Sequence, residues 1–198
     1  IRTIYPVERK TTMKKEIDYT NRVDNDHIKS FGQYFTIPLV ANFMCKWACT
    51  NSTSLLDPAV GNSVFLTTTC NINPNCKLRG YEIDNTILDY FGNPANAEIV
   101  CSDYLLTDWD TKYDAIVCNP PYNRFQAVSN RNEIIDAIHS HTGIKYSGYT
   151  NLYILFLIKS IFQLSEHGRL AYIIPTEFLN SKYGIAIKQK LIDERLLS

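Results

Sequence analysis

The chain has 198 residues, 45% of them hydrophobic, which suits one substantial core and is too apolar for a disordered chain. Twenty basic and twenty acidic side chains cancel, so no global field favours nucleic acid, and contact with it would have to come from a local patch. No apolar run reaches the roughly 20 residues that cross a bilayer and IRTIYPVERK has no signal-peptide core, so a soluble, cytoplasmic protein without a membrane partner is expected.

Residues 1–30 are polar and charge-rich with little apolar periodicity, and are expected to form an arm or surface helix ahead of a single domain over 31–198. The start at Ile rather than Met suggests a piece of a longer protein. TIPLVANFMCKWACT reads as a helix opened by a proline in its first turn, with Val40, Phe43, Met44 and Trp47 on one face. Short β-branched runs then alternate with helical patterns. Strands are predicted over 54–60, 77–83, 97–103, 113–119 and 169–175, with a helix over 151–164. Strand, helix, strand at this spacing predicts an α/β fold, a parallel sheet with helices on both faces. The segment 123–149, with Arg124, Arg131, Lys145 and two histidines, is either a functional loop or a surface insertion with a short helix at RNEIIDAIHS.

Cys45, Cys49, Cys70, Cys76, Cys101 and Cys118 lack the spacing of paired zinc ligands and read as reduced core residues. His27, His139, His141 and His167 show no metal spacing with carboxylates, so no metal is expected.

In open α/β sheets ligands bind outside the carboxyl ends of the strands. DPAVGNS follows the first predicted strand, EID ends the second, SDY the third and NPPY the fourth, so four motifs converge on one crevice. The turn at Gly61 brings backbone N–H groups close to a ligand, but it is neither a dinucleotide fingerprint nor a phosphate loop. Asp57 beside it suits a cationic group such as an amino-acid ammonium. Glu82 can accept both hydroxyls of a ribose. Asp103 can accept from an adenine amino group, or serve simply as a helix cap. Prolines cannot continue a sheet interior, so the fourth strand stops at Cys118. Beyond it, the Asn119 carbonyl and the Pro120 main-chain carbonyl can grip both hydrogens of one planar amino group, and Tyr122 supplies a stacking face. The two prolines limit how far these groups wander.

From about Phe31 to Ile192 the ordered set resembles the adenine-specific (N6) DNA methyltransferases of restriction-modification systems, in the Eco57I/TaqI-like group whose methionine-binding motif comes first. GQYFTIPLVANFM looks like that leading motif, with Thr36 at the methionine of S-adenosylmethionine. DPAVGNS is similar to the first cofactor loop, including Ala59 and Gly61. In GYEID, Glu82 takes the ribose and Ile83 the adenine of the cofactor. In SDYL, Asp103 holds that adenine's amino group and Tyr104 packs on its ring, while Pro121 and Phe156 line the same pocket. The resemblance implies a Rossmann-like class I methyltransferase fold with S-adenosylmethionine as cofactor and double-stranded DNA as substrate. It also implies a separate target-recognition domain and a fused or separate endonuclease.

Two departures stand out. Asn62-Ser63 occupies a position where the family commonly has a second glycine. The chain also ends at Ser198, after the helical pattern IAIKQKLIDERLL, before the family's last hairpin and its sequence-reading domain. Related NPPY enzymes methylate protein glutamine or ribosomal RNA guanine, and a non-catalytic cofactor- or DNA-binding fragment is a further alternative.

Overall fold

The computed structural model describes residues 5–125, 128–143, 151–180, 184, 185, 188 and 189, and side chains from residue 14 onward. The helical pattern predicted over 185–197 lies mostly outside the described residues.

The centre is a sheet of five strands in the order β3-β2-β1-β4-β5: β1 (Ser54–Asp57), β2 (Lys77–Glu82), β3 (Ala97–Cys101), β4 (Tyr113–Cys118) and β5 (Leu164–Tyr172). Every pairing is parallel. Its two faces are sorted by the period of two that a strand imposes on its side chains. Leu55, Ala115 and Val117 face α3 (Pro38–Cys49) and α4 (Val64–Ile72). Leu56, Ile116 and Cys118 face α6 (Arg131–Thr142) and α7 (Leu152–Gln163). All six of these strand residues are fully buried, each leucine contributing about 1.5–3 kcal/mol relative to exposure. Strand β1 stops at Asp57 and β4 at Cys118 because proline, which has no N–H for the ladder, follows one or two residues later.

Three local expectations change. The buried face of α3 is Ala41, Met44, Cys45, Ala48 and Cys49, while Phe43 is 73% exposed, Trp47 41% exposed and Val40 only half-buried. Small side chains let this helix lie close to α4 and the sheet, and the large apolar residues are left outside. Arg169 covers Trp47, donating from Nη1 to its carbonyl at 2.6 Å with the guanidinium 5.5 Å from the ring centroid. Strand β5 begins at Leu164 rather than 169. Tyr113 pairs with Leu164 and Ala115 with Arg169, so 165–168 bulge out with His167 at φ 65°. The segment after NPPY is no mere surface insertion, because Ile134 and Ile138 of α6 are fully buried in the core.

The cysteines are all free, but only Cys45, Cys49, Cys76 and Cys118 are buried; Cys70 is half-buried and Cys101 exposed at the end of β3. The first thirty residues carry α1 (Tyr5–Arg22) and α2 (Asn25–Phe31). Tyr19 is fully buried against the rings of Phe35, Tyr90 and Phe91, at 5.9, 5.2 and 5.4 Å between centroids. The end of α1 is therefore fixed to the domain next to the strap that follows α2. The remaining helix, α5 (Asn85–Phe91), is capped by Asp84, whose Oδ1 accepts from Thr86 N at 2.9 Å. Among the described residues, no helix is long and apolar enough to cross a membrane.

Candidate cofactor and acceptor site

A cavity of about 350 Å³ opens over the carboxyl ends of β1, β2 and β4, where the strand order reverses. Its walls include the strap 30–36, the turn 58–62, Glu82 with Ile83, Asp103 with Tyr104, Asn119 and Pro121 of the NPPY corner, and Phe156 from α7, while Pro120 and Tyr122 stand outside this lining.

At the β1 edge, Asp57 is fully buried just behind the cavity wall formed by Pro58 and Ala59. Its Oδ1 accepts from Ala59 N at 3.2 Å, and its Oδ2 has no partner among the described residues. Burial pushes its carboxyl well above the usual range, opposed by the Ala59 hydrogen bond and reinforced by nearby Cys45 and Glu82. Gly61 turns at φ 53°, a conformation glycine adopts without a Cβ penalty. Ser63, where a second glycine was expected, also adopts a left-handed conformation at φ 60°, at a cost of roughly 1–2 kcal/mol. Its side chain is buried and donates to Asn93 Oδ1, so its Cβ does not obstruct the cavity.

Glu82 closes the β2 edge with three backbone donors. Oε2 accepts from Gly61 N at 2.9 Å, and Oε1 accepts from Ile83 N at 2.9 Å and Asp84 N at 3.0 Å. The residue thus locks the β1 turn onto β2 while lining the cavity, and burial raises its pKa against those hydrogen bonds. Ile83 is 55% exposed at the rim. Asp103 caps the short 3-10 helix Tyr104–Leu106 through Leu105 N at 2.9 Å, and it also lines the cavity. Tyr104 borders the cavity, but its ring is committed to the core between Tyr81 and Phe156, at 5.5 and 5.2 Å. Its hydroxyl donates to Gln163 Oε1 at 2.8 Å. The exposed apolar group on that side is Ile83.

Asn119 faces the cavity from the end of β4. Its Nδ2 donates to Tyr34 O at 2.9 Å and Thr36 Oγ1 at 3.1 Å, which fixes the amide orientation and leaves Oδ1 as the acceptor. The Tyr122 hydroxyl donates to that oxygen at 2.6 Å and also lies 3.0 Å from Ile173 O. Burial pushes the Tyr122 phenol up to about 12, so it stays a donor at neutral pH. Pro120 is buried, and among the described residues no hydrogen bond uses its carbonyl.

Several participants had no sequence signal, because their partners lie far away in the chain. Asn130 Nδ2 donates to Asp103 Oδ2 at 3.0 Å across 27 residues. Gln33 Nε2 at 2.6 Å and His27 Nε2 at 2.7 Å both meet Asp84 Oδ2. Asn123 Nδ2 donates to Ser30 O at 2.6 Å and ties the strap to the segment after NPPY.

Parallel strands in this order, with a ligand-sized cavity over the reversal, make a doubly wound α/β fold, and the fold is that of class I S-adenosylmethionine-dependent methyltransferases. A Listeria monocytogenes protein of that class superposes with a TM-score of 0.68 at 12% identity, covering 98% of this chain and 62% of that one. The methyltransferase subunit of a type I restriction-modification system from Streptococcus thermophilus gives 0.63 at 21% identity, over 81% of this chain and 38% of that one. Within the class, the chain belongs to the Eco57I restriction-modification methylase family, whose model matches residues 57–198. It is 42% identical over 188 residues to the type II methyltransferase M.AccI of Acinetobacter calcoaceticus, covering 92% of this chain and 35% of that protein. To modification methylase CviBIII of Paramecium bursaria Chlorella virus NC1A it is 34% identical over 151 residues, 73% of this chain and 37% of that protein. The chain therefore spans about a third of the length of these relatives.

S-adenosylmethionine is the cofactor this class of fold carries, and the residues present fit it. A buried carboxylate oxygen without a partner suits an ammonium group. The carboxylate of Glu82 suits a diol, and an exposed isoleucine at the rim suits a flat heterocycle.

Proposed function

We propose that the protein containing this chain transfers a methyl group to the N6 amino group of an adenine flipped out of double-stranded DNA, within a restriction-modification system. In this proposal Thr36, Asp57, Glu82, Ile83, Asp103 and Phe156 hold the cofactor, while Asn119, Pro120 and Tyr122 hold the acceptor base. A target-recognition domain and a partner or fused endonuclease complete the system. The observation that carries the reading is the orientation of Asn119, whose Nδ2 is spent on Tyr34 and Thr36 so that Oδ1 is left to accept.

An adenine inside a duplex cannot present its amino nitrogen, so extrusion costs a few kcal/mol. Stacking on Tyr122 returns roughly 1–3 kcal/mol of that. As the base enters, its amino group takes the place of the Tyr122 hydroxyl at Asn119 Oδ1, and Ile173 O, already 3.0 Å away, receives the displaced phenol. Acceptors at Asn119 Oδ1 and Pro120 O then draw the amino hydrogens to one side, which localises the nitrogen lone pair on the other. When bound, S-adenosylmethionine supplies an electrophilic methyl. No strong base is required of the protein, because the amino proton becomes acidic only as the new bond forms and can leave past Asn119 to water. The chain's contribution is alignment and fixed dipoles.

The direct test is transfer of a tritiated methyl group from the cofactor to mixed-sequence DNA, followed by digestion to nucleosides. Label is expected in N6-methyladenine. Label in methylcytosine, or transfer to a glutamine peptide or to ribosomal RNA but not to DNA, overturns the adenine assignment, and cofactor binding without any transfer marks a non-catalytic module. Tyr122→Ala is expected to weaken capture of the extruded base about tenfold or more. The measurement is 2-aminopurine fluorescence at the target position, and a signal equal to the parent's removes Tyr122 from the acceptor site.

A further inference from the structure

Lys159 lies in the middle of α7, within the run of buried residues Tyr153–Ser160, and its side chain is wholly buried. An ammonium removed from water needs replacement contacts. Here Nζ donates to the main-chain carbonyls of Tyr104 and Thr107. It also lies 4.3 Å from the Tyr104 ring centroid and 4.6 Å from that of Trp109, within cation–π range. Among the described residues it forms no ion pair; Asp103 and Asp108 act on it only through space.

Both carbonyls belong to the turn that follows β3, the turn that presents Asp103 to the cavity. Asp103 is held both within the turn and from outside it. Its Oδ1 caps Leu105, its Oδ2 accepts from Asn130, and its carbonyl accepts from Thr107 Oγ1 at 2.7 Å. The turn is fastened on two sides, to the start of α6 through Asn130 on the Asp103 side chain and to α7. From α7, Ser160 and Gln163 hold the Tyr104 hydroxyl, at the tip of a side chain, and Gln163 Nε2 donates to Asp108 O at 2.7 Å just past the turn, whereas Lys159 holds the turn's own main chain at both ends.

We propose that Lys159 is a positioning residue for the cofactor: it fastens both ends of the turn Tyr104–Thr107 to α7, and so sets where Asp103 stands in the cavity. The inference rests on the cofactor reading above. It adds a residue that touches neither cofactor nor acceptor and still governs affinity.

The tether has a pH dependence. Burial pulls the Lys159 ammonium down to about 7, against the opposing pull of Asp108 and Asp103. A charged donor holds a carbonyl roughly twice as strongly as a neutral one, so the tether weakens as pH rises through that value. The other groups facing it are neutral Tyr104, Ser160 and Gln163, together with Trp109, which stacks on His141 of α6 at 4.5 Å. Asp57 contributes the opposite slope, because its raised carboxyl gains charge, and with it attraction for a cationic ligand, as pH rises. The readout is therefore the ratio of parent to Lys159→Met affinity, in which the Asp57 contribution cancels.

The experiment is calorimetric titration of S-adenosylhomocysteine into the parent and Lys159→Met from about pH 6 to about pH 8.5. The ratio is expected to fall from roughly 30-fold to about threefold across that range, since only the charged tether is lost on both sides of the comparison at high pH. A ratio that stays within about twofold of unity, or that does not change with pH, overturns the inference while the cofactor reading stands. A parent that binds at no pH overturns both. Should Lys159→Met not fold, Trp47→Phe leaves Trp109 as the single indole of the two in the chain. Its emission is expected to titrate near 7 and to keep that transition in a further His141→Gln variant. Loss of the transition on changing His141 overturns the inference.

Discussion

Asn119→Ala is expected to lower the proposed methyl transfer on the order of 10³-fold, the scale on which removal of one preorganised polar contact at a reacting centre acts. The loss is in kcat, because Oδ1 acts on an amino group whose geometry changes only as the new bond forms. Cofactor affinity is not untouched. Nδ2 holds Tyr34 O and Thr36 Oγ1, and releasing two neutral hydrogen bonds worth about 0.5–1.5 kcal/mol each loosens the strap over the cofactor by up to roughly tenfold. Asn119→Asp separates the two effects less well than its size suggests, since a carboxylate oxygen would then face the Tyr34 carbonyl. Single-turnover rates and calorimetric affinities for Asn119→Ala check the split. A variant with the parent's single-turnover rate removes the proposed acceptor grip.

Glu82→Gln is expected to weaken cofactor binding about 100-fold, although the substitution is nearly isosteric. A carboxylate accepts with both oxygens, as three backbone donors require here: Gly61 on Oε2, and Ile83 and Asp84 on Oε1. Glutamine keeps one oxygen for Ile83 and Asp84 and turns an N–H₂ toward Gly61 N, so a half-buried donor meets a donor. That mismatch costs about 1–3 kcal/mol of stability, or a fall in Tm of about 2–4 °C for each kcal/mol in a domain of this size. It also releases the β1 turn from β2. Charged hydrogen bonds to a ribose diol are worth about 1.5–3 kcal/mol each, so their loss accounts for the larger part of the affinity change. Thermal unfolding of the free protein and titration with S-adenosylhomocysteine measure the two parts separately. Affinity within about threefold of the parent's would exclude Glu82 from cofactor binding, since one charged hydrogen bond alone is worth more.

What could be read in advance follows from how local each cause is. The end of β4 is written by the Pro120–Pro121 pair, because a missing N–H is a property of one residue; β1 also ends against a proline, Pro58, three residues short of the expected end at Val60. Helix α7 and the NPPY corner are legible for the same reason. The face of α3 was misread because large apolar residues suggest burial, whereas its contact with α4 and the sheet selects small ones, Ala41, Cys45 and Ala48, that permit close approach. Tyr104 falls at its expected position, yet its ring is held in the core by Gln163 and Ser160, partners more than fifty residues away. Lys159 looks like a solvated charge on an apolar helix until the turn after β3 is seen folded against it.

The sequence by itself determined the class of fold, the end of β4 and the residue types at the cavity rim, since these depend on alternation, proline placement and motif order along the chain. The tertiary structure alone decided which atoms of those residues are free to act. Asn119 offers its oxygen because Tyr34 and Thr36 take its nitrogen, and Asp57 keeps an oxygen open because none of the described residues donates to it. Hydrogen-bond saturation is a property of neighbours brought together across tens of residues, and no spacing within a motif encodes it.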